Sequence, residues 1–463
     1  MNLAVLDKEG SMAVKSLYPY QLEDVDELKG RPRIILGSVM RAGKMVETFE
    51  LVKQLDLQNV LIVCPKPMIA EWHYNVIDWL GPEYELRFDI VNYAKLRRPQ
   101  FVSVVQQSKY DLIVFDEAHK IKNRQAQQTK GAFLIGSFAK RIVLATGTPM
   151  ENNPADLWSL LHIIDPKTFN SYWKFAERYC YIQQLPVPPY PRVIVGSKNK
   201  EELRELLGGY MLRREKWELK DHNGCPVVLD RLPERTIPVE LFPEQMKKYK
   251  SMEDDLFVLL DNGEKVTAPA VIAQLTRLRQ ICLEPNLLSS GEKVSSPSAK
   301  TELVLELIED ADGPVVIFTY YEKYANILAE ELRRNKISHA LYTGPVDDYT
   351  KHKVKEDFQA GKYQALIGTI GSIGLGLTLT ASHIPIFTDK FWNPQVNDQC
   401  ISRLEGTGQS RPVQPIDLWA QGTVEDHMHH VLTRKLRTFR DVVVTEQEVL
   451  AETIESMRRA RGG

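Results

Sequence analysis

Short, unbroken apolar runs punctuate the chain, each closed by a turn residue or a polar cluster. The first series is Ile34-Ile35-Leu36, Val60-Leu61-Ile62-Val63, Leu112 to Phe115 and Ile142-Val143-Leu144. After a long gap a second series follows: Val315-Val316-Ile317-Phe318, Ala365-Leu366-Ile367 and Ile384-Pro385-Ile386-Phe387. Amphipathic stretches such as Val46 to Leu55 and Lys323 to Arg334 lie between them. Continuous rather than alternating apolar residues, interleaved with helical periodicity, predict parallel strands covered on both faces. The rhythm occurs twice, so the predicted fold class is α/β: two doubly wound parallel-sheet lobes with helical protrusions. The expected domains are residues 1–225, with a first protrusion, and 226–463, with a second protrusion and C-terminal helices. Ligands of such sheets bind off the carboxyl ends of the strands.

The middle of the chain, Asn152 to about Leu288, lacks this rhythm. It is rich in Trp, Tyr and Arg, carries Pro186-Val187-Pro188-Pro189-Tyr190-Pro191, and reads as helical protrusions plus a Pro-rich loop. Ser289 to Ser298 reads as a flexible connector. A length of 463 residues fits two large units with insertions. Apolar and charged contents of 43% and 26% are those of a globular protein. Net charge is −2, so a nucleic-acid partner must be met by local patches rather than by a global basic field. The five cysteines form no C-x-x-C pair and no zinc spacing, which predicts free thiols. Met1 to Lys15 has acids and no long apolar core, unlike a signal peptide, and no apolar run approaches the ~20 residues needed to cross a bilayer. The expectation is a cytoplasmic protein without a membrane partner; its compact length suits a bacterial or viral source.

Chemistry concentrates at Asp116-Glu117-Ala118-His119, at the end of the run Leu112 to Phe115. Two adjacent carboxylates closing a buried strand are costly without a partner cation. In nucleotide-hydrolysing folds that partner is Mg²⁺ on a phosphate tail: the first acid holds the metal and the next orients and deprotonates water. Upstream, the run Ile34 to Leu36 leads into Gly37-Ser38-Val39-Met40-Arg41-Ala42-Gly43-Lys44 and a helix. Strand, tight loop, Gly-Lys and helix form a phosphate cradle, in which backbone N–H groups and lysine meet the phosphates. Two of its positions depart from the full pattern. Met45 replaces the Ser/Thr that would ligate Mg²⁺, and Arg41 replaces a glycine.

With these motifs in this order, the sequence resembles the double RecA-like motor of superfamily-two helicases, specifically the SWI/SNF-type DNA translocases. Tyr18-Pro19-Tyr20-Gln21 resembles the adenine-reading Q motif, and Val63-Cys64-Pro65-Lys66 with Trp72 the segment that touches a DNA strand. Asp116 to His119 is the DEAH box. Ala145-Thr146-Gly147-Thr148-Pro149-Met150-Glu151-Asn152-Asn153 is similar to the coupling motif. Gly374-Leu375-Gly376-Leu377-Thr378-Leu379-Thr380-Ala381 and Phe391-Trp392-Asn393-Pro394 are similar to the fifth motif and its sequel, with wording nearest the annealing helicases. The resemblance implies ATP and Mg²⁺ as cofactors and a site between the lobes. Gln21, Arg41, Ala42, Gly43, Lys44, Met45, Gly374, Gly376 and Gln399 would line the nucleotide. Asp116 would hold the metal, Glu117 the attacking water, and Arg403 the γ-phosphate. Thr146, Gly147 and Thr148 would couple nucleotide state to DNA grip. The implied partner is double-stranded DNA rather than RNA, through Lys66, Trp72, Asn152, Asn153 and Trp392. The competing reading of Trp72 and Trp392 is core packing, and of Lys66 a solvated surface lysine.

The arginine half of the site departs from the family pattern Q-x-x-x-R-x-x-R-x-G-Q. Here the stretch is Gln399-Cys400-Ile401-Ser402-Arg403-Leu404-Glu405-Gly406-Thr407-Gly408-Gln409, so the second arginine, the finger, is Gly406. A missing finger costs ~10³–10⁵ in rate, which takes a typical ~10 s⁻¹ motor to ~10⁻² s⁻¹ or below. Three explanations stay open: Arg411 or Arg41 substitutes, the protein is a nucleotide-gated DNA clamp, or it is an inactivated copy.

Overall fold

The structure is a computed structural model that describes residues 4–6, 12–14, 16–150, 153–184, 192–261, 268–288, 297–344, 346–373, 377–391, 393–429, 453–457 and 459–460. Gly374, Gly376, Asn152 and Trp392 lie outside the described residues, as do the Pro186–Pro191 loop and most of the 289–298 connector. The chain divides into two compact units, Met1–Val228 and Leu229–Gly463.

In the first unit six strands form one sheet: β1 (Arg33–Leu36), β2 (Val60–Cys64), β3 (Phe88–Asn92), β4 (Leu112–Asp116), β5 (Arg141–Ala145) and β6 (Met211–Leu212). Their order is β6-β1-β5-β4-β2-β3, and every pairing is parallel. Four of them are the predicted apolar runs, and these are the interior strands, apolar on both faces because both faces are covered. The two edge strands are the ones the apolar pattern misses. β3 is largely half-exposed and β6 is two residues long, so neither sustains an apolar run. Helices α1 (Pro19–Gly30), α2 (Lys44–Gln54) and α3 (Ile69–Leu80) belong to the same unit. The insertion after β5 is helical, as expected. It also carries an antiparallel pair that the pattern does not predict, Cys180–Gln184 with Arg192–Ser197.

The second unit repeats the plan with β7 (Arg235–Val239), β8 (Val315–Thr319), β9 (His339–Tyr342), β10 (Ala365–Thr369), β11 (Ile384–Phe387) and β12 (Ile416–Ala420). The order is β7-β12-β11-β8-β10-β9, again all parallel. Here too the edges, β7 and β9, escaped the apolar pattern, and β7 carries Pro238, which an edge tolerates. β12 is interior but holds the buried Asp417, which breaks its run. That charge is matched by Lys390 at 3.1 Å and His429 at 3.5 Å.

One buried ion pair ties this unit together. Lys300, in the helix Ala299–Glu309, is fully buried and donates all three ammonium hydrogens: to Thr388 O at 2.5 Å, Leu418 O at 3.0 Å and Glu425 Oε2 at 2.6 Å. Lys300→Met leaves the Glu425 carboxylate buried without its cation, so the expected loss is about 3–5 kcal/mol of second-unit stability. Urea unfolding of the full chain measures it, and a loss below about 1 kcal/mol would refute the assignment.

Candidate nucleotide site

Strand order builds this site. β5 lies between β1 and β4, with Ala145 opposite both Leu36 and Asp116. The residues that follow these strands, the Gly37 loop, Thr146 and Glu117, therefore emerge side by side at one carboxyl edge. Thr146 N donates to Leu36 O at 3.1 Å.

The loop between β1 and α2 has the backbone of a phosphate cradle. Gly43 has φ 91°, and a Cβ there would sit 2.1 Å from Gln21 Nε2, so only glycine fits. α2 begins with no side-chain cap, and a helix N-terminus favours an anion. Lys44 Nζ donates to Ser38 O and Val39 O, at 2.8 and 3.0 Å. Arg41 holds φ 68° without being a glycine, a conformation that costs an L-residue ~1–2 kcal/mol.

Gln21, expected to read adenine, has both ends of its amide in use. Its Oε1 accepts from Tyr18 N at 2.8 Å and its Nε2 donates to Ala42 O at 3.0 Å. Ala42 O also accepts from the Tyr20 hydroxyl at 2.9 Å. Gln21 thus braces the cradle. Further support comes from a segment the motif reading did not place here. Gly37 N donates to Leu212 O, Val39 N to Arg214 O, and Arg214 N to Ser38 Oγ. Arg214 also pairs with Asp24 at 2.7 Å.

Behind the loop lies Glu47, a buried acid that sequence reasoning did not single out. It is fully buried on α2, and neither carboxylate oxygen has a hydrogen-bond partner. The groups facing it are Asp24 and Tyr20 of α1, Lys44 of its own helix, and Arg214. Burial, reinforced by Asp24, holds its pKa well above the usual carboxylate range, against the pull of Lys44 and Arg214. A raised acid pKa means that the folded chain binds the extra proton. Stability from this group is greatest below the unfolded value and falls as pH rises through the folded one. Glu47→Gln should therefore gain stability over the parent as pH is raised to 9, by about 1–3 kcal/mol, with little difference near pH 4. Thermal melts of both proteins across that range decide it; a pH-independent difference would refute it.

At the end of β4, Asp116 Oδ1 accepts from Glu117 N at 3.0 Å and Oδ2 from the Trp72 indole N–H at 2.9 Å. The Tyr93 hydroxyl donates to Asp116 O at 2.7 Å. Burial and the neighbouring Glu117 charge push the Asp116 pKa up to about 6, opposed by the Trp72 N–H and by Lys44. Glu117 holds φ 53°. Its Oε2 lies 3.3 Å from His119 Nδ1, which is 3.1 Å from Thr146 Oγ1 and 3.5 Å from Thr148 Oγ1. DEAH box and coupling motif are thus joined through one imidazole.

For Mg²⁺ the donor set fits at Asp116, a hard carboxylate whose oxygens each keep a lone pair beyond the N–H they accept. It does not fit at Met45, whose thioether is too soft for this ion.

Among the expected DNA-contacting residues, Lys66 is exposed where β2 ends. Asn153 spends its side-chain oxygen capping the turn Pro154–Asp156, accepting from Ala155 N at 3.0 Å. Trp72 corrects the expectation: it is 1% exposed, packs edge-on against Phe49 of α2 and is bonded to Asp116, so its ring is unavailable to a ligand.

In the second unit Gln399 and Arg403 sit at the end of the helix Pro394–Ser402. Arg403 O accepts from Leu379 N at 2.7 Å. Gly406 follows at φ 100°. Gln409 secures this loop, its Nε2 donating to Ser382 O at 2.7 Å and Leu404 O at 2.8 Å. Arg231 clamps it through Glu405 at 2.5 Å and through Asp398. Arg411, a suggested substitute for the finger, pairs with Asp312.

A model of the SNF2-related domain matches residues 82–287, and one of the helicase conserved C-terminal domain matches 299–405. An ATP-dependent helicase of Mycoplasma genitalium is 26% identical over 480 residues, covering 96% of this chain and 42% of that protein. The CHD3-type chromatin-remodeling factor CHR7 of Arabidopsis thaliana is 24% identical, with 96% and 38% covered. The SWI/SNF-related matrix-associated actin-dependent regulator of chromatin subfamily A-like protein 1 of Bos taurus is 23% identical, with 96% and 46% covered. The chain thus spans less than half the length of these relatives. A solved Sulfolobus solfataricus SWI2/SNF2 ATPase core in complex with dsDNA is 26% identical over 96% of each chain, with a TM-score of 0.42. The chain carries an SNF2-related domain followed by a helicase conserved C-terminal domain, and its relatives are SWI/SNF-type ATP-dependent helicases.

Proposed function

We propose that this chain is the core of an ATP-dependent double-stranded DNA translocase. The observation that carries the reading is the shared carboxyl edge of β1, β5 and β4. It puts the Lys44 cradle, Thr146 and the Asp116-Glu117 pair side by side, with His119 tying the last two together. Lys44 and the α2 terminus would hold the phosphates, and Glu117 would orient and deprotonate water. Mg²⁺ bound at Asp116 would neutralise charge developing on the phosphates. The resemblance assigns Arg403 to the γ-phosphate. Lys66 is an exposed cation at the end of β2 that would meet a DNA phosphate, and duplex DNA is the partner that the resemblance to SWI/SNF-type translocases implies.

A second reading, a DNA clamp gated by nucleotide with little turnover, is favoured by Gly406 in place of the finger and by the Asp312 pairing of Arg411. ATP hydrolysis by the chain, alone and with duplex DNA or RNA, tests both. DNA-stimulated turnover of several per second would sink the clamp. No nucleotide binding, and no response to either nucleic acid, would sink the translocase.

A further inference from the structure

We propose that Trp72 is a positioning residue for the metal-side carboxylate: its indole N–H fixes the orientation in which Asp116 presents an oxygen to Mg²⁺. The inference rests on the reading of Asp116 as the metal ligand. A buried indole N–H usually takes an acceptor, and any backbone carbonyl would serve. Here the acceptor is Asp116 Oδ2 at 2.9 Å, on a strand 44 positions away in sequence. The other carboxylate oxygen takes Glu117 N–H, and the Asp116 carbonyl takes the Tyr93 hydroxyl. Three donors from three places thus fix both the backbone and the side-chain torsion of one acid. Trp72 is the only one of the three that a side-chain substitution removes from the carboxylate itself.

The ring is itself immobilised. It lies in the first turn of α3 and meets Phe49 of α2 edge-on, with centroids 5.5 Å apart and planes at 83°. Phe49 sits five residues beyond Lys44 on the cradle helix. Trp72 therefore spans the phosphate side and the metal side of the site. A donor that orients a metal-binding group sets the affinity for the metal, and losing such a partner typically costs about 10–100-fold.

The test is Trp72→Phe, which keeps an aromatic ring against Phe49 and deletes the N–H, with Phe49→Leu as the packing control. Binding of a fluorescent, non-hydrolysable ATP analogue to the full chain is titrated with Mg²⁺, and Mn²⁺ binding is followed by electron paramagnetic resonance. The expected result is a half-saturating metal concentration raised about 10–100-fold in Trp72→Phe. Metal-free analogue affinity should hold, and Phe49→Leu should lower the melting temperature without moving the metal requirement. A metal requirement within twofold of the parent's in Trp72→Phe would reduce Trp72 to packing. If the unsubstituted chain shows no metal-dependent analogue binding, the reading of Asp116 falls and the inference falls with it.

Discussion

Glu117→Gln is expected to lower ATP turnover by ~10²–10⁴ while leaving nucleotide affinity unchanged, the signature of removing a general base rather than a binding group. The geometry supplies the reason. Glu117 stands in the left-handed region at φ 53°, a costly place for a non-glycine residue. That backbone turns the side chain to within 3.3 Å of His119, whose ring also meets Thr146 and Thr148. Gln keeps the shape and the hydrogen-bonding oxygen but cannot take a proton. Single-turnover hydrolysis alongside equilibrium binding of an ATP analogue separates the two effects. An unchanged rate with weakened binding would move Glu117 out of the base role.

The seven strands legible from apolar runs are all ones buried on both faces. Those that escaped lie at sheet edges, as Phe88–Asn92 and His339–Tyr342 do, or carry a buried charge, as Asp417 does. Spacing likewise located Asp116, which closes an interior strand, and Lys44, one tight loop beyond another, while Thr146, directly after a third, came from the resemblance. It could not say that Trp72 faces inward, since a tryptophan in the first turn of an amphipathic helix reads equally well as core or as surface. Glu47 was invisible for a different reason. Its significance lies in what fails to pair with it, and that depends on α1 and Arg214, which arrive from distant parts of the chain.

The double substitution Met45→Thr with Gly406→Arg is expected to raise turnover ~10³-fold or more, because it restores the metal-side hydroxyl and the arginine finger together. The structure adds an opposing effect. Gly406 holds φ 100°, so an arginine there carries ~1–2 kcal/mol of backbone strain unless the loop relaxes. Relaxation is resisted by Gln409, which donates to Ser382 O and Leu404 O, and by the Arg231 clamp on Glu405. The magnitudes settle the sign: a thousandfold gain is ~4 kcal/mol of barrier, larger than the strain. The strain should instead appear as a lower melting temperature of the double variant. Arg411 is not expected to contribute, since it is held by Asp312, and Arg411→Ala should leave turnover within twofold of the parent. Steady-state hydrolysis with duplex DNA for parent, both single variants and the pair provides the reading. A parent already turning over several times per second, with no gain in the pair, would show that another cation fills the finger's role. A slow parent with no gain would show that the loop around Gly406 has settled into a shape no arginine can use.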